Sequence, residues 1–459
     1  MSQLPVSLVG DGMLVPCLDG HSRPYTSLDA AASTSSLETI VSRLEAFLPT
    51  YSSVHRGAGY KSQLATEAYE EARQAALAFA GREGNDDIAI FCRNTTEAIN
   101  HLAHSLRLTS DDTVVTSVIE HHANLLPWSR AAHCRYVECG ADGTFSAQDV
   151  ADELDRLPTP RLLAVTAASN ITGWLPPLDE IIEAAHRRKI PVAVDGAQLA
   201  PHGRLPREAD FVAWSGHKMY APFGTGVLIG PRQAFCDGDP FLAGGGAVDL
   251  VELGEVVWTS PPEREEAGSP NVVGAVALHA AMDALEELGW LAIGAHDRHI
   301  GRLLREGLVN IPGVHLLGPD LDTVTLPVAT FTVEGVSHAL VAARLSAEDG
   351  IGVRHGCFCA HPYLTRLLGL SEAEIADFRD EVRRGNRSRM PGAVRASAGL
   401  NTTEADVAHL IQAVTRIATG GPAPVAYLQD TRSGDYFPDR DAAPWYAQAV
   451  SPNSPCSPG

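Results

Sequence analysis

Ile190-Pro191-Val192-Ala193-Val194-Asp195-Gly196-Ala197-Gln198, followed after a short interval by Phe211-Val212-Ala213-Trp214-Ser215-Gly216-His217-Lys218, is the stretch on which the fold turns. Each half opens with a short apolar run of the kind that forms a buried parallel strand. Asp195 closes the first run, and Lys218 stands just past the second. The carboxyl ends of parallel strands open into the crevice where ligands bind, so both groups are expected at one edge of one sheet. Alone, a strand-end Asp is ordinarily a helix cap or turn former, and a Lys is ordinarily solvated surface. The spaced pair says more than either residue does.

A lysine amine and a carboxylate at one sheet edge are what pyridoxal phosphate requires. The cofactor is tethered through a lysine, and a carboxylate keeps its ring nitrogen protonated so that the ring can act as an electron sink. Lys218 and Asp195 are the candidates. A phosphate needs hydrogen-bond donors near a helix N-terminus. Thr95 and Thr96 precede a helical pattern that begins around Glu97, and Ser215 and His217 would complete the cradle. A threonine pair before a helix is otherwise a routine N-cap.

The rest of the chain sets limits. With 459 residues it can bury a large core, and length alone suggests roughly two to four domains. The formal charge of -21 argues against nucleic acid or an anionic membrane as partner, since both need a basic face. There is no long uncharged apolar stretch and no charged-then-apolar leader, so a cytoplasmic enzyme is expected. Eight scattered cysteines are too few for a disulfide scaffold in a chain of this length. Cys17, Cys92, Cys134, Cys139, Cys236 and Cys456 are expected to be small core residues or bystanders. Cys357 and Cys359 differ, because they flank Phe358 in a stretch bounded by Gly356 and Pro362 that reads as a loop. With no second ligand pair nearby, no metal site is expected there. A loop thiol suits nucleophilic work.

Alternating apolar strand runs and helical segments predict a doubly wound, mainly parallel α/β sheet over residues 31–300. Residues 1–30 and 301–420 would form a smaller α+β domain, and 421–459 a Pro-rich extension. In that extension Tyr436-Phe437-Pro438 and Pro444-Trp445-Tyr446 are possible packing anchors, and Ser451 to Gly459 is expected to be disordered. Gly244-Gly245-Gly246 lacks the spacing of a nucleotide loop and is assigned no binding role. Between Cys359 and Arg395 lies a segment with a helix predicted after Ser371, where Glu374 would close a capping box, and then a basic run from Arg383 to Arg389.

Many ordered motifs match one family. They include Leu28-Asp29-Ala30-Ala31-Ala32-Ser33, Val54-His55-Arg56-Gly57, Arg93-Asn94-Thr95-Thr96-Glu97, Glu120-His121-His122-Ala123-Asn124 with Pro127-Trp128, and Ser169-Asn170. The Asp195 and Lys218 motifs follow, then Glu266-Ala267-Gly268-Ser269-Pro270-Asn271, Arg354-His355-Gly356-Cys357-Phe358-Cys359 and Arg395-Ala396-Ser397. Almost from end to end the chain resembles the class V branch of fold-type I pyridoxal-phosphate enzymes, and within it the cysteine desulfurase and selenocysteine lyase group. The resemblance implies two domains and a homodimer. It implies that Cys359 is the persulfide-forming thiol, with Cys357 the weaker candidate, and that His121 stacks on the cofactor ring and can move protons. Gln198 and Asn170 would lie at the cofactor's phenolic oxygen. Arg395, with Arg354, His55 and Asn170, would hold the substrate, the planar Arg395 fork suiting an α-carboxylate. Ser269 would offer a hydroxyl to the neighbouring subunit's phosphate.

By that resemblance the activity is conversion of L-cysteine, or a derivative, to alanine. Lys218 would move the α-proton, and the Cys359 thiolate would take the sulfur and pass it to an acceptor protein or thiol. The same scaffold can also support C–S lysis by β-elimination, selenocysteine lysis, or sulfur transfer to a dedicated cofactor or intermediate. The Gly-Cys-Phe-Cys wording departs from the commonest bacterial desulfurase loop and resembles that of molybdenum-cofactor sulfurases. A non-catalytic binding or scaffold protein is the alternative from another class, against which the intact Lys218, Asp195 and Arg395 argue.

Overall fold

The computed structural model describes residue 4 and residues 6–439, apart from 85 and 158. Seven strands form the central sheet, in the spatial order Asp87–Cys92, Gly226–Pro231, Phe211–Ser215, Val192–Asp195, Leu162–Thr166, Thr113–Ser117 and His133–Val137. All run in one direction except Gly226–Pro231, which is antiparallel to both neighbours. Successive strand residues point to opposite faces, and here both faces are covered. Val192, Val194, Val212 and Trp214 enter one core, roofed by helices Glu38–Phe47, Tyr60–Phe79, Leu178–His186 and Val272–Leu288. Ala193, Phe211 and Ala213 enter the other, beneath Thr95–Ser105 and Leu126–Ala131. Two-sided burial is why these strands read as continuous apolar runs rather than as alternating ones.

A second sheet of four antiparallel strands, in the order Val314–Leu317, Val328–Val333, Ala393–Ser397 and Arg354–Gly356, carries the later motifs. Helices Trp290–Val309, His338–Asp349 and Glu404–Ala418 pack on it through Leu304, Leu345 and Leu410. The leading residues are shared out: Leu4 and Leu8 join the large core, whereas Leu28 joins the smaller one. Helix Trp290–Val309 also serves both, with Ile293 in the first core and Ile300 and Leu304 in the second.

The helix expected after Ser371 forms as Glu372–Arg383. Its capping box is reciprocal, with Ser371 Oγ accepting from the Glu374 N–H and the Glu374 carboxylate accepting from the Ser371 N–H at 2.8 Å. It buries none of its own residues fully. In the tail, Tyr427–Gln429 and Tyr436–Pro438 make an antiparallel hairpin, and the Tyr427 hydroxyl donates to Glu348 Oε1 at 3.1 Å. Pro444-Trp445-Tyr446, Cys456 and the last residues lie outside the described part. Cys17 and Cys92 are buried, while Cys134, Cys139 and Cys236 are partly so. Among the described residues no helix is long and apolar enough to cross a membrane.

Candidate active site

The topology brings the two sheets together around one cavity. Asp195 and Lys218 line it from strand ends of the central sheet, and Arg354, Arg395 and Cys359 line it from the second. Thr95, Thr96, His121, Asn170, Gln198, Ser215 and His217 complete the wall. Two predicted site residues are not in it. His55 and Ser269 line a separate cavity with Arg56, Gly245 and Gly246, so the triple glycine, given no role from sequence, borders that second space.

The donor set fits pyridoxal phosphate. Burial lowers the Lys218 amine to about 8, against the pull of Asp195, so a minor fraction of it, far larger than for an ordinary lysine, is neutral and nucleophilic near physiological pH. Asp195, 4% exposed, accepts the Ala197 N–H at 3.0 Å. Burial raises its carboxyl, and a cationic ring nitrogen beside it would lower it again. Burial, with Lys218 nearby, takes His121 down to about 3, so its imidazole is neutral. Its Nδ1 accepts the Ala123 N–H at 3.1 Å, which leaves the ring proton on Nε2.

The phosphate end differs from expectation in one detail. The helix begins at Thr95 rather than near Glu97, because Asn94 takes the cap: its Oδ1 accepts the Glu97 N–H at 3.0 Å. Thr95 and Thr96 therefore sit in the first turn, where backbone N–H groups lack intrahelical acceptors and an anion is favoured. Thr95 is tied to Ser215, whose Oγ accepts the Thr95 N–H at 2.7 Å and lies 2.6 Å from its hydroxyl. That tie is possible because Gly226 lets the antiparallel strand approach Asn94. A Cβ there would lie 2.7 Å from the Asn94 Cα.

Arg395 is 3% exposed and is held on three sides. Nη1 donates to the Asn170 carbonyl at 2.8 Å, Nη2 donates to Asp29 Oδ1 at 3.1 Å, and the guanidinium lies 5.1 Å from the Phe358 ring centroid. Its Nε is buried without a partner among the described residues. Arg395 lines the cavity, and a planar guanidinium there suits a carboxylate. Arg354 is 3.8 Å from the other Asp29 oxygen and more exposed.

The thiol loop is held in a demanding backbone shape. Phe358 and Cys359 have φ of 52° and 54°, two successive left-handed residues without glycine, each costing on the order of 1–3 kcal/mol. The loop is pinned to keep it. The Phe358 carbonyl accepts from Asn170 Nδ2 at 2.7 Å, the Cys359 carbonyl accepts the His122 N–H at 2.7 Å, and the Phe358 side chain is 7% exposed within the large core. Gln198 is likewise fixed, its Nε2 donating to the Ala31 carbonyl at 2.9 Å.

Sequence reasoning missed the roles of Asp29, Phe358, His122 and His361. Asp29 lay inside a quoted motif, but nothing in one sequence says which arginine it meets. His361 opens the helix His361–Leu367, and its contact with Cys357 at 2.8 Å forms across the left-handed turn at Phe358 and Cys359, which no local pattern announces.

The comparisons give the family and the fold. Residues 26–410 match the family model described as Aminotransferase class-V. The chain is 37% identical over 363 residues to a cysteine desulfurase of Dickeya dadantii, covering 75% of this chain and 85% of that one. The apo structure of a cysteine desulfurase from Thermococcus onnurineus superposes with a TM-score of 0.76 at 29% identity, covering 86% of this chain and 95% of that one. The crystal structure of the Escherichia coli cysteine desulfurase CsdA, in its S-sulfonic acid form, gives 0.71 at 31%, covering 85% and 94%. With residues 26–410 matched by that family model and most of the chain by a relative of this identity, the chain belongs to the class-V aminotransferase family, in its cysteine desulfurase branch.

Proposed function

We propose that the protein is a pyridoxal-phosphate-dependent cysteine desulfurase, releasing L-alanine from L-cysteine and retaining the sulfur as a persulfide on Cys359. The observation that carries it is the presence of an exposed thiol, Cys359, in the same cavity as Lys218, Asp195 and Arg395. When bound, the cofactor supplies an electron sink for the charge released as the Cα–H bond of an amino acid breaks. Lys218 would hold it and then carry the α-proton, a task suited to an amine lowered to about 8. Asp195 would face the ring nitrogen, His121 the ring, and Gln198 and Asn170 its oxygen. Thr95, Thr96, Ser215 and His217 would receive the phosphate.

Arg395 would orient the substrate by its carboxylate, with Arg354 beside it, leaving the substrate sulfur toward the loop. The Cys359 thiolate would attack that sulfur, and an acceptor thiol or protein would collect it. Residues 31–300 would then supply the cofactor's ligands, while 1–30 and 301–420 would supply thiol and clamp. His55 and Ser269 have a role in this scheme only if their cavity faces a second subunit's site. That supports a homodimer.

The test is to supply L-cysteine to the cofactor-loaded protein and to Cys359→Ala, and to quantify alanine, pyruvate and sulfide. Alanine that depends on Cys359 is expected. Pyruvate that survives the substitution would mean β-elimination instead and would overturn the assignment.

A further inference from the structure

A second thiol sits behind the first, and it has its own base. Cys357 Sγ lies 2.8 Å from His361 Nε2, and His361 Nδ1 lies 3.2 Å from His122 Nε2, with the two rings parallel within 3° at 5.0 Å. The mechanism above uses none of these three side chains. Their protonation follows from the backbone. The His361 N–H points at His122 Nε2 at 3.4 Å, so that nitrogen is an acceptor. For His361 Nδ1 to meet the same nitrogen it must carry the proton, which leaves Nε2 with a lone pair toward Cys357. The thiol is therefore the donor, and His361 is the base in the tautomer needed to activate it. This nucleophile, base and orienting group form the arrangement expected of an activated thiol.

Its place beside Cys359 gives the arrangement a purpose. Cys357 and Cys359 stand two residues apart on one tight loop, through the left-handed Phe358 and Cys359, and the Ala360 N–H closes that loop on the Cys357 carbonyl at 2.9 Å. The His122 backbone N–H meanwhile holds the Cys359 carbonyl at 2.7 Å, so one residue both orients the base and pins the loop. Burial raises the Cys357 thiol and lowers both imidazoles, so the group rests uncharged. Such a thiol stays quiet until an electrophile reaches it. A persulfide on Cys359 is that electrophile, and it extends the chain's reach by one S–S bond, about 2 Å.

We infer that Cys357 is a relay thiol that takes the outer sulfur from the Cys359 persulfide, with His361 as its base and His122 as the group that orients the base. The Cys357 proton passes to His361 Nε2. The sulfur's electron pair forms a bond to the outer, protonated sulfur on Cys359, and the S–S bond to Cys359 breaks, leaving its pair there as thiolate. The proton on His361 returns to that thiolate. One persulfide replaces another, nothing is oxidised, and Cys359 is free to take a second sulfur.

This rests on the desulfurase assignment, and the experiment separates the two. Cofactor-loaded protein is mixed with L-cysteine in a rapid-quench instrument without added reductant, and alanine is counted per protomer. Quenched samples are alkylated and digested with trypsin, which releases His355 to Arg366 as one peptide carrying both cysteines, and fragmentation locates the added sulfur. The expected result is a burst of about two alanines per protomer, with sulfur appearing first on Cys359 and then on Cys357. Cys357→Ser should give a burst of about one, with the sulfur remaining on Cys359. His361→Gln should slow migration at least about tenfold relative to the Cys359 persulfide formed in the same sample. A one-alanine burst in the unaltered protein with sulfur confined to Cys359 would overturn the relay and leave the desulfurase standing. So would a Cys357–Cys359 disulfide with sulfide released. Absence of Cys359-dependent alanine would overturn the desulfurase itself. The unaltered protein decides between these outcomes even if a variant fails to fold.

Discussion

Replacing Glu120 by Gln should make the protein's stability less sensitive to alkaline pH, by an amount the structure sets. Glu120 is fully buried beside the residue expected over the cofactor. Its Oε1 accepts from Ser117 Oγ at 2.5 Å and its Oε2 accepts from Asn124 Nδ2 at 2.7 Å. Asn124 Oδ1 in turn accepts from Trp128 Nε1 at 3.0 Å. Burial pushes the carboxyl from 4.5 to about 8, against those hydrogen bonds. The folded chain therefore keeps a proton that the unfolded chain releases throughout that interval. Stability from the protonated group is complete below 4.5 and is lost as pH rises through about 8. The whole interval corresponds to roughly 5 kcal/mol, of which about half falls between about pH 6 and 9. A glutamine keeps the shape and cannot ionise: its oxygen can still accept from Asn124 Nδ2, while its amide nitrogen would donate to Ser117 Oγ, the direction a protonated carboxyl would also use. Guanidinium unfolding of both cofactor-loaded proteins at those two pH values, followed by tryptophan fluorescence, gives the gap between them, and titrations elsewhere cancel in the difference. The gap should widen in favour of Glu120→Gln by roughly 2–3 kcal/mol at the higher pH. An unchanged gap would mean that Glu120 is charged in the fold, and the argument from burial would fail.

Arg395→Lys should raise KM for L-cysteine about 10- to 100-fold with less effect on kcat, since charged hydrogen bonds are worth about 1.5–3 kcal/mol. Steady-state alanine formation measures it, and an unchanged KM would remove Arg395 from substrate binding. Arg73→Ala should cost about 3–5 kcal/mol in denaturant titration, because it removes the counter-ion held at 2.8 Å from the Glu266 carboxylate, a side chain 5% exposed that would keep only the Tyr69 hydroxyl and the Phe91 N–H as donors. A loss under about 1 kcal/mol would show that Glu266 finds another partner or a proton. Gly226→Ala presses a methyl group on the Asn94 backbone, which cannot rotate away. It should cost about 1–3 kcal/mol and speed loss of cofactor absorbance on dialysis. Unaltered retention would mean that the Asn94 turn does not position the phosphate site.

The central sheet was legible because its strands are buried on both faces, so Val192–Val194 and Phe211–Trp214 stand out as unbroken apolar runs. The Ser371 cap was legible because its two partners are three residues apart. The start of the helix at Thr95 was read two residues late, since Asn94 and the threonines are all fair caps and only the bond to Glu97 separates them. The contacts of Asp29 were not legible at all. Its two arginines lie more than three hundred residues away in sequence, and neighbouring strands of a sheet, not local pattern, bring them together.

Asp29 turns substrate capture into an exchange. The clamp does not wait as a bare cation: it already holds a tethered carboxylate, which touches Arg395 at 3.1 Å and Arg354 at 3.8 Å. If Arg395 grips the substrate as proposed, an incoming amino acid would compete with that internal occupant, and the affinity it shows would be the difference between two carboxylates rather than the strength of one. Amines that lack a carboxylate cannot make the trade and leave the arginines satisfied. The same pairing offsets the buried Arg395 charge, so on the proposed reading the cavity would favour acids over amines that lack a carboxylate.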